Sequence, residues 1–238
     1  MSYHTLQHWS VANEESLGRK VNLEAQASAV AEAIAQFTIN DQPGLIKSPG
    51  QLVSASIGQG MNNFSPAQLV SYIATLANGG TRYKLHLVDK ITDNNGNVIQ
   101  EFKPEVLNTV QISASAQKAI KEGMVAVNEQ DQGTASGTFL GFPIQSAGKT
   151  GTADVSDDQR EKGRSPYAVY TSYAPKDDPE IAVVAVVFDG GHGTNIAPAV
   201  KAVYEQYFKD QILKLDANYA TKSTSFQKYV VNNPFNKK

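Results

Sequence analysis

Apolar positions recur along this chain with two different periods, and the change of period separates helical from extended stretches. Val21, Ala25, Ala29, Val30, Ala33, Ile34 and Phe37 keep helical spacing and predict a helix over 21–37. Pro43-Gly44 and Pro49-Gly50 break the chain into loops, and Gln51–Ile57 alternates briefly before a tight turn at Gly58-Gln59-Gly60. Ser65 as cap and Pro66 in the first turn open a second helix, lined by Leu69, Ile73, Leu76 and Ala77 and stopped by Asn78-Gly79-Gly80. Residues 84–103 alternate as a β-hairpin: Leu85, Leu87 and Val88 lead in, Asp93-Asn94-Asn95-Gly96 turns, and Val98, Ile99 and Phe102 return. A helix over 114–128 carries Ile120, Met124, Val125 and Val127, and Gly133–Gly141 reads as a loop.

Downstream, 156–165 is a solvated loop between the strand around Lys149 and a strand pair, Tyr167–Ala174 and Ile181–Phe188, joined by the turn Pro175–Pro179. Ile181–Phe188 is apolar throughout, which predicts burial on both faces and helices on each side of the sheet. Ile196–Phe208 reads as a closing helix with Ala199, Val200, Val203, Tyr204 and Phe208 turned inward. After Lys209 the chain becomes polar, so 209–238 is expected as a C-terminal tail, with Thr221–Lys238 appended or disordered. The pattern gives an α/β (α+β) fold, an antiparallel sheet with helices on both faces, within residues 1–208.

Composition narrows the function more than the fold. The chain has 238 residues, a formal net charge of -2 and 41% hydrophobic residues, enough for a core but with no basic stripe for nucleic acid. It contains no cysteine, which excludes disulfides and thiol chemistry. No apolar run reaches membrane-spanning length, and Met1–Ser10 lacks the basic start and apolar stretch of a signal peptide. The four histidines, His4, His8, His86 and His192, are scattered, so no metal site and no cofactor are expected.

Chemistry concentrates in Gln145-Ser146-Ala147-Gly148-Lys149-Thr150-Gly151-Thr152-Ala153. On a strand, Lys149 attracts an anion and can pass protons, the hydroxyls of Thr150 and Thr152 grip a carboxylate, and Gly151 lets a ligand lie along the backbone. Gly148-Lys149-Thr150 also matches the end of a phosphate-binding loop, but the glycine needed five residues earlier is Pro143.

In order and spacing, Ile57-Gly58-Gln59-Gly60, Phe64-Ser65-Pro66-Ala67-Gln68-Leu69, Tyr72–Gly80, Ala147–Ala153, Tyr173-Ala174-Pro175 and Gly191-His192-Gly193 before Ala197-Pro198 resemble the C-terminal part of the transpeptidase domain of class B penicillin-binding proteins. The resemblance runs from about residue 45 to 208. It implies part of a cell-wall-cross-linking serine D,D-transpeptidase at the outer face of the bacterial cytoplasmic membrane. It also implies that Lys149 positions substrate and shuttles protons. Thr150 and Thr152 would bind the terminal carboxylate of a D-Ala-D-Ala stem peptide or a β-lactam, and the Thr152 N–H would donate to the oxyanion. Gly58-Gln59-Gly60 is read as a structural turn, and His192 as a locally bonded loop residue.

One part of that pattern does not fit. The family's nucleophile lies in Ser-x-x-Lys at the start of a buried helix, with Ser-x-Asn opposite. Ser-x-x-Lys occurs at Ser115–Lys118, Ser146–Lys149 and Ser225–Lys228, none in that context, and Ser-x-Asn is absent. The expectation is a chain that begins after the nucleophile, forms no acyl-enzyme alone, and partners the missing N-terminal part of its own domain. The alternative is a non-catalytic interaction or sensor module built on the same fold. A serine β-lactamase shares the strand motif but fits Gly58-Gln59-Gly60 and Asn78-Gly79-Gly80 poorly.

Overall fold

The computed structural model describes residues 58–59 and 64–232. The predicted helix over 21–37 and the Gln51–Ile57 stretch lie outside them. The chain divides into two compact units, one of residues up to 75 with 81–110, the other of 76–80 with 111–238.

In the first unit, α1 (Pro66–Ala77) starts where the cap pattern places it. Ser65 Oγ accepts the Gln68 N–H at 3.2 Å, and Gln68 Oε1 accepts the Ser65 N–H at 2.8 Å, so two N–H groups without a helical partner are satisfied reciprocally. The expected hairpin exists but is shorter: β2 (Lys90–Thr92) pairs with β3 (Val98–Glu101) around the Asp93 turn. Asp93 holds that turn by accepting the Asn95 and Asn97 N–H groups, each at 2.8 Å. Residues 85–89, predicted to be strand, are irregular, and Leu87 is 96% exposed. The pairing moves outward instead: β1 (Thr81–Tyr83) joins β4 (Val106–Thr109), and the Lys84 N–H reaches the Glu105 carbonyl at 2.9 Å. Alternation in sequence marks extended backbone without saying which stretches pair.

The second unit is built on a three-stranded antiparallel sheet in the order β5 (Ala147–Ala153), β6 (Tyr167–Ala174), β7 (Ile181–Val187). Lys149 pairs with Thr171, which pairs with Val184; Thr150 pairs with Tyr170, which pairs with Ala185. With side chains alternating along each strand, Ala168, Tyr170, Ser172 and Ala174 of β6 share a face with Ile181, Val183 and Ala185 of β7. That face meets the main core of Phe139, Phe142, Ile196, Val200, Tyr204 and Phe208. The expected two-sided burial of Ile181–Phe188 is not observed among the described residues. Ile181 to Val186 are half-buried, and Val187 and Phe188 are exposed, because no described strand pairs with the outer side of β7.

Before the sheet, α2 (Ala114–Glu129) is capped by Ser113, whose Oγ accepts the Ala116 N–H at 3.2 Å. It buries Met124 and Asn128, while Ile120, another of its apolar positions, is exposed. The expected loop at 133–141 contains a helical turn, α3 (Ser136–Phe139), with Phe139 fully buried and stacked on Tyr170 at 5.8 Å. The loop expected at 156–165 likewise holds α4 (Asp157–Glu161), started by a Ser156/Gln159 capping box.

The closing helix is α5 (Ala197–Tyr207), with Val200, Tyr204 and Glu205 buried and Ala199 and Val203 outward. The polar tail expected after residue 208 is a correction. α6 (Lys209–Leu215), α7 (Tyr219–Lys222) and α8 (Thr224–Phe226), with a π turn over Gln227–Val231, bring Ile212, Tyr219, Phe226 and Val230 into the same core. These apolar residues are sparse among polar ones, and a buried carboxyl adds polar contacts to their packing. Glu205 Oε1 accepts the Ser223 hydroxyl at 2.6 Å and the Tyr219 hydroxyl at 3.0 Å, with Lys201 Nζ 3.6 Å away. A buried carboxyl hydrogen-bonded through Oε1 in this way helps fix where the segment docks, although its Oε2 is buried with no hydrogen-bond partner.

Candidate functional site

Gly148-Lys149-Thr150 runs as strand within β5, which removes the phosphate-loop reading, since that needs a loop opening a helix. Among the described residues β5 is an edge strand, paired only with β6. Alternation directs Lys149 and Gly151 to one face, and Thr150 and Thr152 to the other. Ammonium and hydroxyls can therefore meet one ligand only along the outer edge of β5, where an extended peptide can add as a strand.

Each motif side chain has a defined neighbour. Lys149 is exposed, and its ammonium donates to the carbonyl oxygen of Thr150. Thr150 Oγ1 lies 2.8 Å from Thr134 Oγ1. Thr152 Oγ1 accepts the Gly193 N–H at 3.4 Å. Gly193 sits so close to the strand that a Cβ there would come within 2.5 Å of both the Gly151 and Val169 carbonyl oxygens. The loop carrying it is pinned by Asp189, whose Oδ1 takes the Arg164 Nε–H and the Ser165 N–H, each at 2.9 Å. The Arg164 hydrogen bond and charge hold the Asp189 carboxyl below its ordinary value. His192, exposed at the start of the 3-10 turn Gly193–Ile196, is a loop residue as expected.

A buried polar network fixes the approach to β5. Asn128 Nδ2 donates to Ser146 Oγ at 2.8 Å, and Asn128 Oδ1 accepts the Tyr170 hydroxyl at 2.7 Å. Glu129 Oε1 accepts the Ser146 N–H at 3.0 Å; burial pushes the Glu129 carboxyl above its ordinary value, offset in part by that hydrogen bond and by Lys176. Burial likewise drives the Tyr170 phenol well up, leaving it a neutral donor.

The three Ser-x-x-Lys serines stand in different surroundings. Ser146 is fully buried in the network just described. Ser115 is exposed in the first turn of α2, and its Lys118 pairs with Glu122 at 3.8 Å. Thirteen residues separate Ser115 from Asn128, about 20 Å along the helix. Ser225 bonds to Ser223 at 3.0 Å in the C-terminal helices. A groove of about 610 Å³ lies elsewhere, between α2 and the Lys176-Asp177 turn. Its Lys121 and Lys176 are already paired with Asp177, at 2.8 and 3.0 Å. In strand addition an extended ligand lies on an open strand edge rather than inside a cavity. Among the described residues there is no cluster of His, Asp and Glu able to hold a metal, and no helix long and apolar enough to cross a membrane.

With the Lys-Thr-Gly-Thr strand at the edge of the sheet and a C-terminal helix behind it, comparison with known proteins makes the family definite. The chain belongs to the penicillin-binding protein transpeptidase domain family, whose model matches residues 20–208. It is 35% identical over 153 residues to penicillin-binding protein 2A of Bacillus subtilis, covering 60% of this chain and 21% of that protein. It is 35% identical over 170 residues to penicillin-binding protein 2B of Streptococcus pneumoniae, covering 65% of this chain and 24% of that protein. The chain thus spans about a fifth to a quarter of the length of these relatives. Its fold superposes on penicillin-binding protein A of Mycobacterium tuberculosis as an imipenem acyl-enzyme, with TM-score 0.57 and 28% identity, covering 67% of this chain and 34% of that one. The fold is accordingly α+β, part of a penicillin-binding protein transpeptidase domain, in a family that binds β-lactams.

The sequence pattern missed Thr134 and the Gly193 N–H as partners of the two motif threonines. Gly133-Thr134 does stand in a glycine- and threonine-rich run, but nothing in that run shows that it folds back onto β5.

Proposed function

We propose that this chain supplies the carboxylate-binding wall of a peptidoglycan D,D-transpeptidase, and that the attacking serine comes from residues outside this sequence. The observation that carries the reading is the motif on an edge strand: Lys149, Thr150, Gly151 and Thr152 along a border with no described strand partner. A D-Ala-D-Ala stem peptide, or a β-lactam in its place, lies along that edge. The Thr150 and Thr152 hydroxyls bind its terminal carboxylate. Lys149 adds positive charge and passes protons, and the Thr152 N–H helps to hold the oxyanion. Loss of one such donor costs on the order of 10²–10³ in rate. Chemically, a serine oxygen attacks the peptide carbonyl, D-Ala leaves, and the amine of a second stem peptide takes the acyl group.

The partner this requires is the remainder of the transpeptidase domain. Support comes from β7, an apolar strand with no described neighbour on its outer side and with Val187 and Phe188 exposed. The location that follows is the outer face of the cytoplasmic membrane.

Labelled penicillin added to the purified chain, followed by a denaturing gel, tests the assignment. No covalent band is expected from this chain alone, and a Lys149→Ala change in the complete transpeptidase should abolish most labelling. A label mapping to Ser115, Ser146 or Ser225 would overturn the placement of the nucleophile.

A further inference from the structure

We propose that Thr134 is a positioning residue for the carboxylate site: its hydroxyl fixes the direction in which Thr150 presents its proton to the ligand. The inference rests on the carboxylate role of Thr150 given above and goes one residue beyond it. The carrying observation is the 2.8 Å contact between Thr134 Oγ1 and Thr150 Oγ1.

Both ends of that contact are rigid. Thr150 stands in the regular ladder opposite Tyr170. Thr134 lies where the chain doubles back over the end of α2, and the turn is held on both sides. The Gly133 N–H donates to the Gln130 carbonyl at 2.7 Å and the Ala135 N–H to the Val127 carbonyl at 2.9 Å. A Cβ on Gly133 would collide with the Ala126 and Val127 carbonyl oxygens, so only glycine permits this approach, and Ala135 beyond it is buried. Threonine itself is β-branched and stiff about χ1.

A hydroxyl has one proton and two lone pairs. Either hydroxyl could donate in this contact; the proposal assigns the donor role to Thr134, so that the Thr150 proton points elsewhere, to the exposed strand edge where an anionic acceptor arrives. Without Thr134, the Thr150 hydroxyl on this partly exposed strand rotates among solvent partners, and binding must then stop that rotation. Two hydroxyls in series also polarise one another, which strengthens the final bond to a carboxylate. The ligand class that feels this is one with a carboxylate at the seat; a ligand with that group esterified does not.

The test compares acylation of the complete transpeptidase carrying this chain by benzylpenicillin and by its methyl ester. Thr134→Val, which keeps shape and removes the hydroxyl, should lower the benzylpenicillin rate constant about tenfold, as the Thr150 bond to the carboxylate weakens. The ester rate should stay within about twofold by the same reasoning. Thr134→Ser should restore the preference, and Thr134→Val added to Thr150→Val should cost nothing more, because the two act through one hydroxyl. An equal fall with both compounds, or additive losses in the double variant, would show Thr134 to be structural and overturn the proposal. If Thr150→Val itself leaves the penicillin-to-ester ratio unchanged, the carboxylate reading fails first. If Thr150→Val removes the preference and Thr134→Val does not, only the positioning role fails.

Discussion

Replacing Phe226 by alanine puts the helical C-terminal segment to a quantitative test. Phe226 is fully buried, its ring meeting Tyr219 edge-on with centroids 5.3 Å apart and planes at 86°. Truncating such a residue removes its transfer free energy and leaves a cavity, together about 3–5 kcal/mol. About 0.5–1.5 kcal/mol of that belongs to the aromatic pair. A polar appendage would respond within about 0.5 kcal/mol. For a chain of this size, with a urea slope of about 2 kcal/mol per molar, a 4 kcal/mol loss moves the unfolding midpoint down by about 2 M. Circular dichroism through a urea titration reads this directly, with Tyr229→Ala as control because Tyr229 is half exposed. A Phe226→Ala midpoint within about 0.3 M of the parent, at unchanged slope, would refute the docking of residues 209–231 on the core.

Two further outcomes follow from the geometry of the site. Gly193→Ala must lift its loop off β5, since the added Cβ meets the Gly151 and Val169 carbonyl oxygens at 2.5 Å. A cost of about 1–3 kcal/mol in stability is expected from thermal unfolding, with a fall of at least tenfold in penicillin acylation of the complete enzyme; an unchanged acylation rate would show that the Gly193 N–H does not hold Thr152. Glu129→Gln should remove a pH dependence while keeping an acceptor for the Ser146 N–H. Burial raises the Glu129 carboxyl in the folded state, so its contribution is fully present below the unfolded value of about 4.3 and is lost as pH climbs through the folded value. Urea titrations between about pH 4 and 7 should show the variant gaining stability relative to the parent as pH rises; a constant difference would exclude this role.

The elements legible in the sequence were those marked by local signals. The Ser65-Pro66 start, the Asp93 turn and the apolar run from Ile181 needed only a cap, a turn residue or a period, and Lys-Thr-Gly-Thr stands in the strand expected of it. What stayed hidden depends on burial of polar groups. Asn128, Ser146 and Glu205 are fully buried, yet a pattern reading places such residues on the surface. Residues 209–231 looked like a tail because the positions that bury, Ile212, Tyr219, Phe226 and Val230, are sparse among polar residues, and the hydrogen bonds of Glu205 to Tyr219 and Ser223 leave no sequence signal. The motif residues themselves were visible; the loop partners that hold them were not, since Thr134 and Gly193 reach β5 from 16 and 41 residues away.

An unpaired strand border invites any extended chain, including a second copy of the same protein. β5 meets this hazard with its own charge. Two copies pairing antiparallel about Lys149 would set one ammonium opposite the other, a like-charge contact that opposes the match. On the proposed reading, the cation that would draw in a peptide's acidic end also opposes a neighbour's identical edge.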